Sequence, residues 1–154
     1  MLVGLSPGAA DERGDGPAGA ALLDDLAEFI PRLNERRDEL YVTTLVKCRA
    51  GTNDDSVPTA AEFEHCYPYL SQEFTITTPH YVLTIGATAT TALLARLYKD
   101  PPPLEKDPLA PQVFDNPAFK VVALATPDEL RAKDAKTRKQ YVERLRTLAR
   151  TMLP

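Results

Sequence analysis

The sequence predicts an α/β fold, a three-layer α/β/α sandwich around a four-stranded parallel sheet, with residues 1–154 forming one domain. Three observations lead there. Four short runs are apolar and β-branched, as strands buried on both faces are. Each is followed by a stretch whose apolar residues recur with the period of a helix. The strand-to-helix junctions carry glycine or proline, so the chain turns sharply where each strand ends.

The first strand is Met1 to Val3, running into the tight turn Gly4-Leu5-Ser6-Pro7-Gly8 and a Gly/Asp-rich stretch to about Gly19. Leu22, Leu23, Leu26, Phe29 and Ile30 then mark an amphipathic helix that Pro31 ends or kinks. Tyr41 to Val46 is the second strand, and Thr59-x-x-Glu62 is a capping box opening a helix through about Leu70, where Pro68 strains the last turn. Tyr81 to Ile85 is the third strand, and Ala87 to Tyr98 its helix. Asp100-Pro101-Pro102-Pro103 stops that helix, and the segment to about Asn116 reads as a proline-punctuated loop. Lys120 to Ala125 is the last strand. Thr126-Pro127-Asp128-Glu129 leads into a helix with Tyr141, Leu145, Leu148 and Met152 on its apolar stripe. In such sheets ligands bind outside the carboxyl ends of the strands. The places that matter are therefore residues 4–8, 47–53, 86–88 and 126–131.

Composition excludes several classes. The chain is 44% hydrophobic and 26% charged, which is ordinary for a globular domain and not for disorder, collagen or a coiled coil. No apolar run approaches the roughly 20 residues of a membrane helix, and Met1-Leu2-Val3-Gly4 begins no secretory signal. Two cysteines make no disulfide scaffold; they read as reduced thiols of an intracellular, cytoplasmic protein. The net charge of −4 argues against a nucleic-acid binder, but it is unevenly spread. Residues 1–66 carry six basic and thirteen acidic side chains, whereas residues 131–154 carry eight basic and two acidic ones. That basic run is either a local anion-binding surface or an ordinary solvated helix face.

Gly4-Leu5-Ser6-Pro7-Gly8 is not a nucleotide fingerprint. Together with four further segments, however, it resembles the uracil-DNA glycosylase superfamily, nearest to its iron–sulfur type, family 4. Leu2 to Gly8 resembles that family's V-G-E-A-P-G. Arg13 with Gly16-Pro17 and Leu22-Leu23-Asp24 resembles R-x-G-x-P and L-L-D. Tyr41 to Arg49 resembles Y-I-T-N-x-V-K-C-R, and Cys66-Tyr67-Pro68-Tyr69-Leu70 resembles C-x-P-x-L. Pro79 through Leu94, with Ile85-Gly86-Ala87-Thr88-Ala89, resembles P-x-V-I-V-A-L-G-x-T-A. The resemblance spans nearly the whole chain and implies the same four-stranded parallel sheet.

The resemblance also implies a base pocket at Ser6, Pro7, Gly8, Ala18, Thr44 and Thr126, and here the chain departs from the pattern. Leu5 stands where an acidic or amide residue positions water, and leucine neither polarises water nor accepts its proton. Ala18 replaces a phenylalanine that stacks on the flipped base. Thr44 replaces an asparagine that reads the uracil edge, and a hydroxyl does not make an amide's two-point contact. Thr126 replaces the histidine of H-P-S, with His65 and His80 elsewhere in the sequence. Removing one such donor costs about 10²–10³ in rate in other enzymes. The catalytic residues of the family are thus not retained at the equivalent positions Leu5 and Thr126.

By the same resemblance, Lys47, Arg49, Gly86, Pro127, Leu130, Arg131 and Lys133 are candidate DNA contacts. Leu130 is either a wedge pushed into the duplex or the first buried position of the last helix; Lys47 and Arg49 are either a phosphate track or rim charge. Cys48 and Cys66 match two of the family's four cluster ligands, the other pair falling upstream of the first strand. A cluster takes four thiolates, so no metal and no cofactor is expected for this chain, and each thiol reads as a small buried hydrophobe.

Three functions are compatible with these residues. One is a catalytically degenerate glycosylase-like domain that binds DNA or a nucleobase. Another is an active enzyme with a rewired pocket, using Thr44, Thr126, Asp128 or an acidic loop residue among Asp11, Glu12 and Asp15. The third is a protein-interaction or regulatory module that has lost nucleic acid.

Overall fold

The computed structural model describes residues 1–8, 19–48, 57–106 and 110–152. Five strands, β1 (Leu2–Gly4), β2 (Val42–Thr44), β3 (Tyr81–Ile85), β4 (Gln112–Asp115) and β5 (Lys120–Leu124), join in the order β2-β1-β3-β5-β4. The first four in that order are parallel, as expected. Their register sets Val3 beside Thr43 and Thr84, and Thr84 beside Ala123. The fifth is a correction. Gln112–Asp115 lies in the segment expected as loop, and it pairs antiparallel with β5, Val113 opposite Val122. The prolines stop short of it, and four residues of alternating exposure suffice for an edge strand.

Each strand sends alternate side chains to opposite faces, and both faces are covered. Leu2, Ile85, Val122 and Leu124 pack under α1 (Ala20–Ala27), α2 (Arg32–Glu35), α5 (Pro127–Ala132) and α6 (Ala135–Met152), meeting Leu23, Leu26, Leu33, Leu130, Tyr141 and Leu145. Val3, Val82 and Val121 pack under α3 (Ala60–Thr77) and α4 (Ala87–Leu97), meeting Phe63, Leu70, Leu93 and Leu94. Each fully buried side chain of this size contributes about 1.5–3 kcal/mol through removal from water, so the two layers hold the sheet from both sides.

The capping box expected at α3 is present. The Thr59 hydroxyl accepts from the Glu62 N–H at 3.2 Å, and the Glu62 carboxylate accepts from the Thr59 N–H at 2.7 Å. The helix runs past Leu70 to Thr77, so Pro68 does not end it. Pro68 is exposed, and Leu70 and Phe74 beyond it pack on the sheet, which offsets the lost N–H. The first helix closes at Ala27 rather than Ile30, leaving Phe29 and Ile30 buried in the turn before Pro31. The last helical pattern is two helices. Lys133 is extended between them, and the Asp134 carboxylate accepts from the Lys136 and Thr137 N–H groups to start α6.

Candidate functional site

The chain leaves β1, β2, β3 and β5 at one edge of the sheet, which brings together the loops singled out in the sequence. The β1 and β2 exits are tied to each other. Leu45 N–H donates to Gly4 O at 2.9 Å and Val46 N–H to Leu5 O at 3.0 Å, carrying the pairing past both strand ends. A Cβ on Gly4 would meet Leu22 Cδ2 at 2.8 Å, so α1 sits directly on this turn. Leu5 is half-buried and packs against the α3/α4 core, lining a shallow cleft with Leu45, Val46 and Phe63. Thr44 is 3% exposed, and its hydroxyl donates to Val46 O at 2.8 Å. Ser6 and Pro7 are half-buried and Gly8 is exposed at the same edge. Ala18 and Arg49 lie outside the described residues, as do Asp11, Glu12 and Asp15.

The β3 and β5 exits face each other through Gly86 and Thr126. Gly86 has φ 87°, and a Cβ there would meet Thr126 Cγ2 at 2.8 Å, so both the conformation and the space demand glycine. Thr126 caps α5. Its hydroxyl accepts from the Glu129 N–H at 3.1 Å while the Glu129 carboxylate accepts from the Thr126 N–H at 2.7 Å, with Pro127 buried at the first helical position. One residue earlier, the Ala125 N–H donates to the Tyr141 hydroxyl at 2.8 Å. Tyr141 is wholly buried, and burial pushes its phenol up to about 12. Sequence reasoning placed Tyr141 only on an apolar stripe. Its hydroxyl was the available signal, since a buried tyrosine needs a polar partner. Glu129 likewise enters the sequence analysis only as a helix start, although its spacing from Thr126 is that of a capping box. Between these exits lies a cleft of about 480 Å³, lined by Gly86, Thr90, Gln112, Glu129, Lys133 and Thr137 among others.

Two candidate DNA contacts are engaged within the fold. Leu130 is 0% exposed and packs with Tyr141 and Leu145, so it takes the second of its two roles, a core position. A wedge needs an exposed apolar tip, and Leu130 offers none here. Arg131 projects toward α1 and is held by three carboxylates, Asp25 and Glu28 at 2.9 Å and Asp128 at 3.0 Å, with the Phe29 ring beside it. The hydrogen bond to Glu28, then that to Asp25, raises the guanidinium above even its ordinary range. Lys47 is also engaged. Its ammonium bonds both Glu73 oxygens at 2.7 and 2.8 Å, the Thr43 hydroxyl at 2.7 Å and Thr44 O at 2.8 Å. Lys133 is half-buried at the cleft.

Chemically, the three described positions at which the resemblance implies catalytic and base-reading residues present one packed leucine and two hydroxyls already bonded within the fold. His80 sits at the opposite edge of the sheet, before β3, and His65 on the outer side of α3. Cys66 is buried as expected, whereas Cys48 is exposed, which corrects the expectation of a buried hydrophobe there; the chain contains no other cysteine. Two thiols do not fit a four-thiolate cluster, and among the described residues no three His, Cys, Asp or Glu side chains gather as a metal site. No helix of the described residues is long and apolar enough to cross a membrane.

The sequence model of the Uracil DNA glycosylase superfamily matches residues 1–149. The chain is 35% identical over 94 residues to the type-4 uracil-DNA glycosylase of Pyrobaculum aerophilum, an alignment covering 61% of this chain and 47% of that protein. It is 33% identical over 100 residues to the protein of the same name from Sulfurisphaera tokodaii, covering 63% and 44%. With the Thermotoga maritima one it is 31% identical over 91 residues, covering 58% and 45%. The matched stretch thus spans about half the length of these curated relatives.

Proposed function

Because the chain belongs to the uracil-DNA glycosylase superfamily, we propose that it is a glycosylase-like domain that binds DNA or a nucleobase without ordinary uracil excision. The observation that carries this reading is how the matched positions are used. Thr44 spends its hydroxyl on Val46 O, Thr126 caps α5, and Leu5 packs on the core. None of the three is poised to orient water or to stabilise charge on a departing base. The binding half of the reading is supported by the cleft at the β3 and β5 exits, which Gly86 and Lys133 line; Pro127 is buried beside it. The setting we propose is the cytoplasm, where two reduced thiols persist.

The test uses single- and double-stranded oligonucleotides carrying uracil, 5-hydroxymethyluracil or hypoxanthine. Abasic sites are read by alkaline cleavage and binding by gel retardation at two salt concentrations. The expected result is no cleavage, with retardation that fades as salt rises, because phosphate contacts release counterions. Cleavage abolished by Thr126→Ala or Asp128→Ala would overturn it in favour of an enzyme with a rewired pocket. A second reading, an interaction module that no longer takes nucleic acid, is favoured by the pairing of Arg131 and Lys47 with carboxylates. It predicts neither cleavage nor retardation.

A further inference from the structure

The cleft at the β3 and β5 exits has its cause in the sheet beneath it. On the face covered by α3 and α4, one cross-strand row is Phe114, Val121 and Val82, and all three pack in the core. The next row toward the exits is Gln112, Ala123 and Thr84. Ala123 has only a methyl group where a valine stands one row below, so space remains above it. Thr84 is settled, since its hydroxyl lies 2.7 Å from that of Thr90, which donates to Gly86 O at 2.9 Å. Gln112 is not settled. It lines the cleft, its Oε1 accepts from the Glu105 N–H at 3.0 Å, and its Nε2 is buried without a partner. Among the described residues it is the one buried side-chain nitrogen or oxygen in that state. A buried amide donor without an acceptor is costly, and an acceptor brought by a ligand removes that cost.

Charge and size narrow the class of ligand. Glu105, Glu129 and Asp134 line the cleft against Lys106 and Lys133, so its described lining carries more negative than positive charge and does not favour a phosphate. Its volume of about 480 Å³ falls within the usual range of small-molecule sites, about 300–1,000 Å³. We propose that the cleft takes a neutral nucleobase bearing a ring carbonyl, and that Gln112 Nε2 donates to that oxygen. This rests on the reading that the cleft binds a base, and it adds the residue that reads the base and the group that is read. A small turn about χ3, a torsion with a broad preference, presents Nε2 to the ligand. Gln112 stands on the edge strand β4, apart from the positions at the β1 and β2 exits where the resemblance implies a base pocket.

The test titrates the full, nitrogen-15-labelled chain with inosine and with purine riboside, which lacks the oxo group of inosine. The readout is the Gln112 side-chain NH₂ resonances, identified by their absence from Gln112→Glu. Inosine should move them. Purine riboside should leave them in place and bind about tenfold more weakly, the loss of one hydrogen bond. In Gln112→Glu, whose carboxylate accepts and does not donate, the two nucleosides should bind alike. Gln112→Met keeps the length of the side chain without its buried donor, so it should lose the same discrimination while melting no lower than the wild type. Equal wild-type affinities with unmoved NH₂ resonances would overturn the role of Gln112 and leave the cleft as a base site. Oligonucleotide retardation without binding of either nucleoside would overturn this inference alone. Neither retardation nor nucleoside binding would overturn both readings.

Discussion

At the exits of β1 and β2, Leu5 packs into the core and the Thr44 hydroxyl is bonded to Val46 O; at the exits of β3 and β5, the chain folds back around a cleft of about 480 Å³. Both pairs of strands are parallel neighbours leaving the same edge. The difference lies in the segments just beyond the strand ends. After β2 the chain stays against β1 for two more hydrogen bonds, so its side chains are drawn into packing. After β5 a capped helix starts at once and carries the chain away from α4, and the gap between them remains. The two halves of this edge therefore differ in what they leave open: at the β1 and β2 exits the side chains are packed, and at the β3 and β5 exits a cleft remains.

The largest effect expected on this contrast comes from Leu130→Ala, which should cost about 2–5 kcal/mol in urea denaturation, as for a fully buried leucine. Were Leu130 a wedge, stability would hold and only duplex affinity would fall. Next is Tyr141→Phe. It leaves the Ala125 N–H without its acceptor, at about 1–3 kcal/mol. It also tests the linkage to pH. The folded phenol is raised to about 12 from 10.0, so its contribution is fully present below pH 10 and is lost as pH rises toward 12. Denaturation midpoints should fall across that window in the wild type and fall less in the variant.

Thr126→Ala should then cost about 0.5–2 kcal/mol by removing the cap of α5, and Thr126→Ser should recover most of it. If Thr126 instead served a base pocket, alanine would alter nucleobase binding and leave the midpoint unmoved. The smallest effect belongs to Arg131→Gln. With its guanidinium given to Asp25, Glu28 and Asp128, the salt dependence of oligonucleotide retardation should not change. A phosphate contact would instead lower the slope by about 0.9.

Much of this architecture was readable from residues alone. The four parallel strands, their order along the chain and the Thr59 capping box follow from β-branched runs, helical periodicity and local side-chain spacing. Gln112–Asp115 escaped because four residues beside a proline-rich stretch carry little pattern, and their pairing with β5 is a tertiary fact. Pro68 misled for a related reason, since buried residues beyond it hold α3 together against its local propensity. For the candidate site, the sequence names positions, and their engagements are visible only in the fold. Nothing in the spacing of Arg131 from Asp25 and Glu28, more than 100 residues apart, announces that they meet.

The short edge strand β4 has a consequence for how the molecule opens. It takes the border of the sheet in place of β5, which therefore has strand neighbours on both sides, whereas β2, three residues long, is bonded on one side only. Amide exchange should accordingly reach the β2 amides well before those of β5. The half of the edge that carries Thr44 should then loosen before the β5 exit, which sits on a strand flanked on both sides.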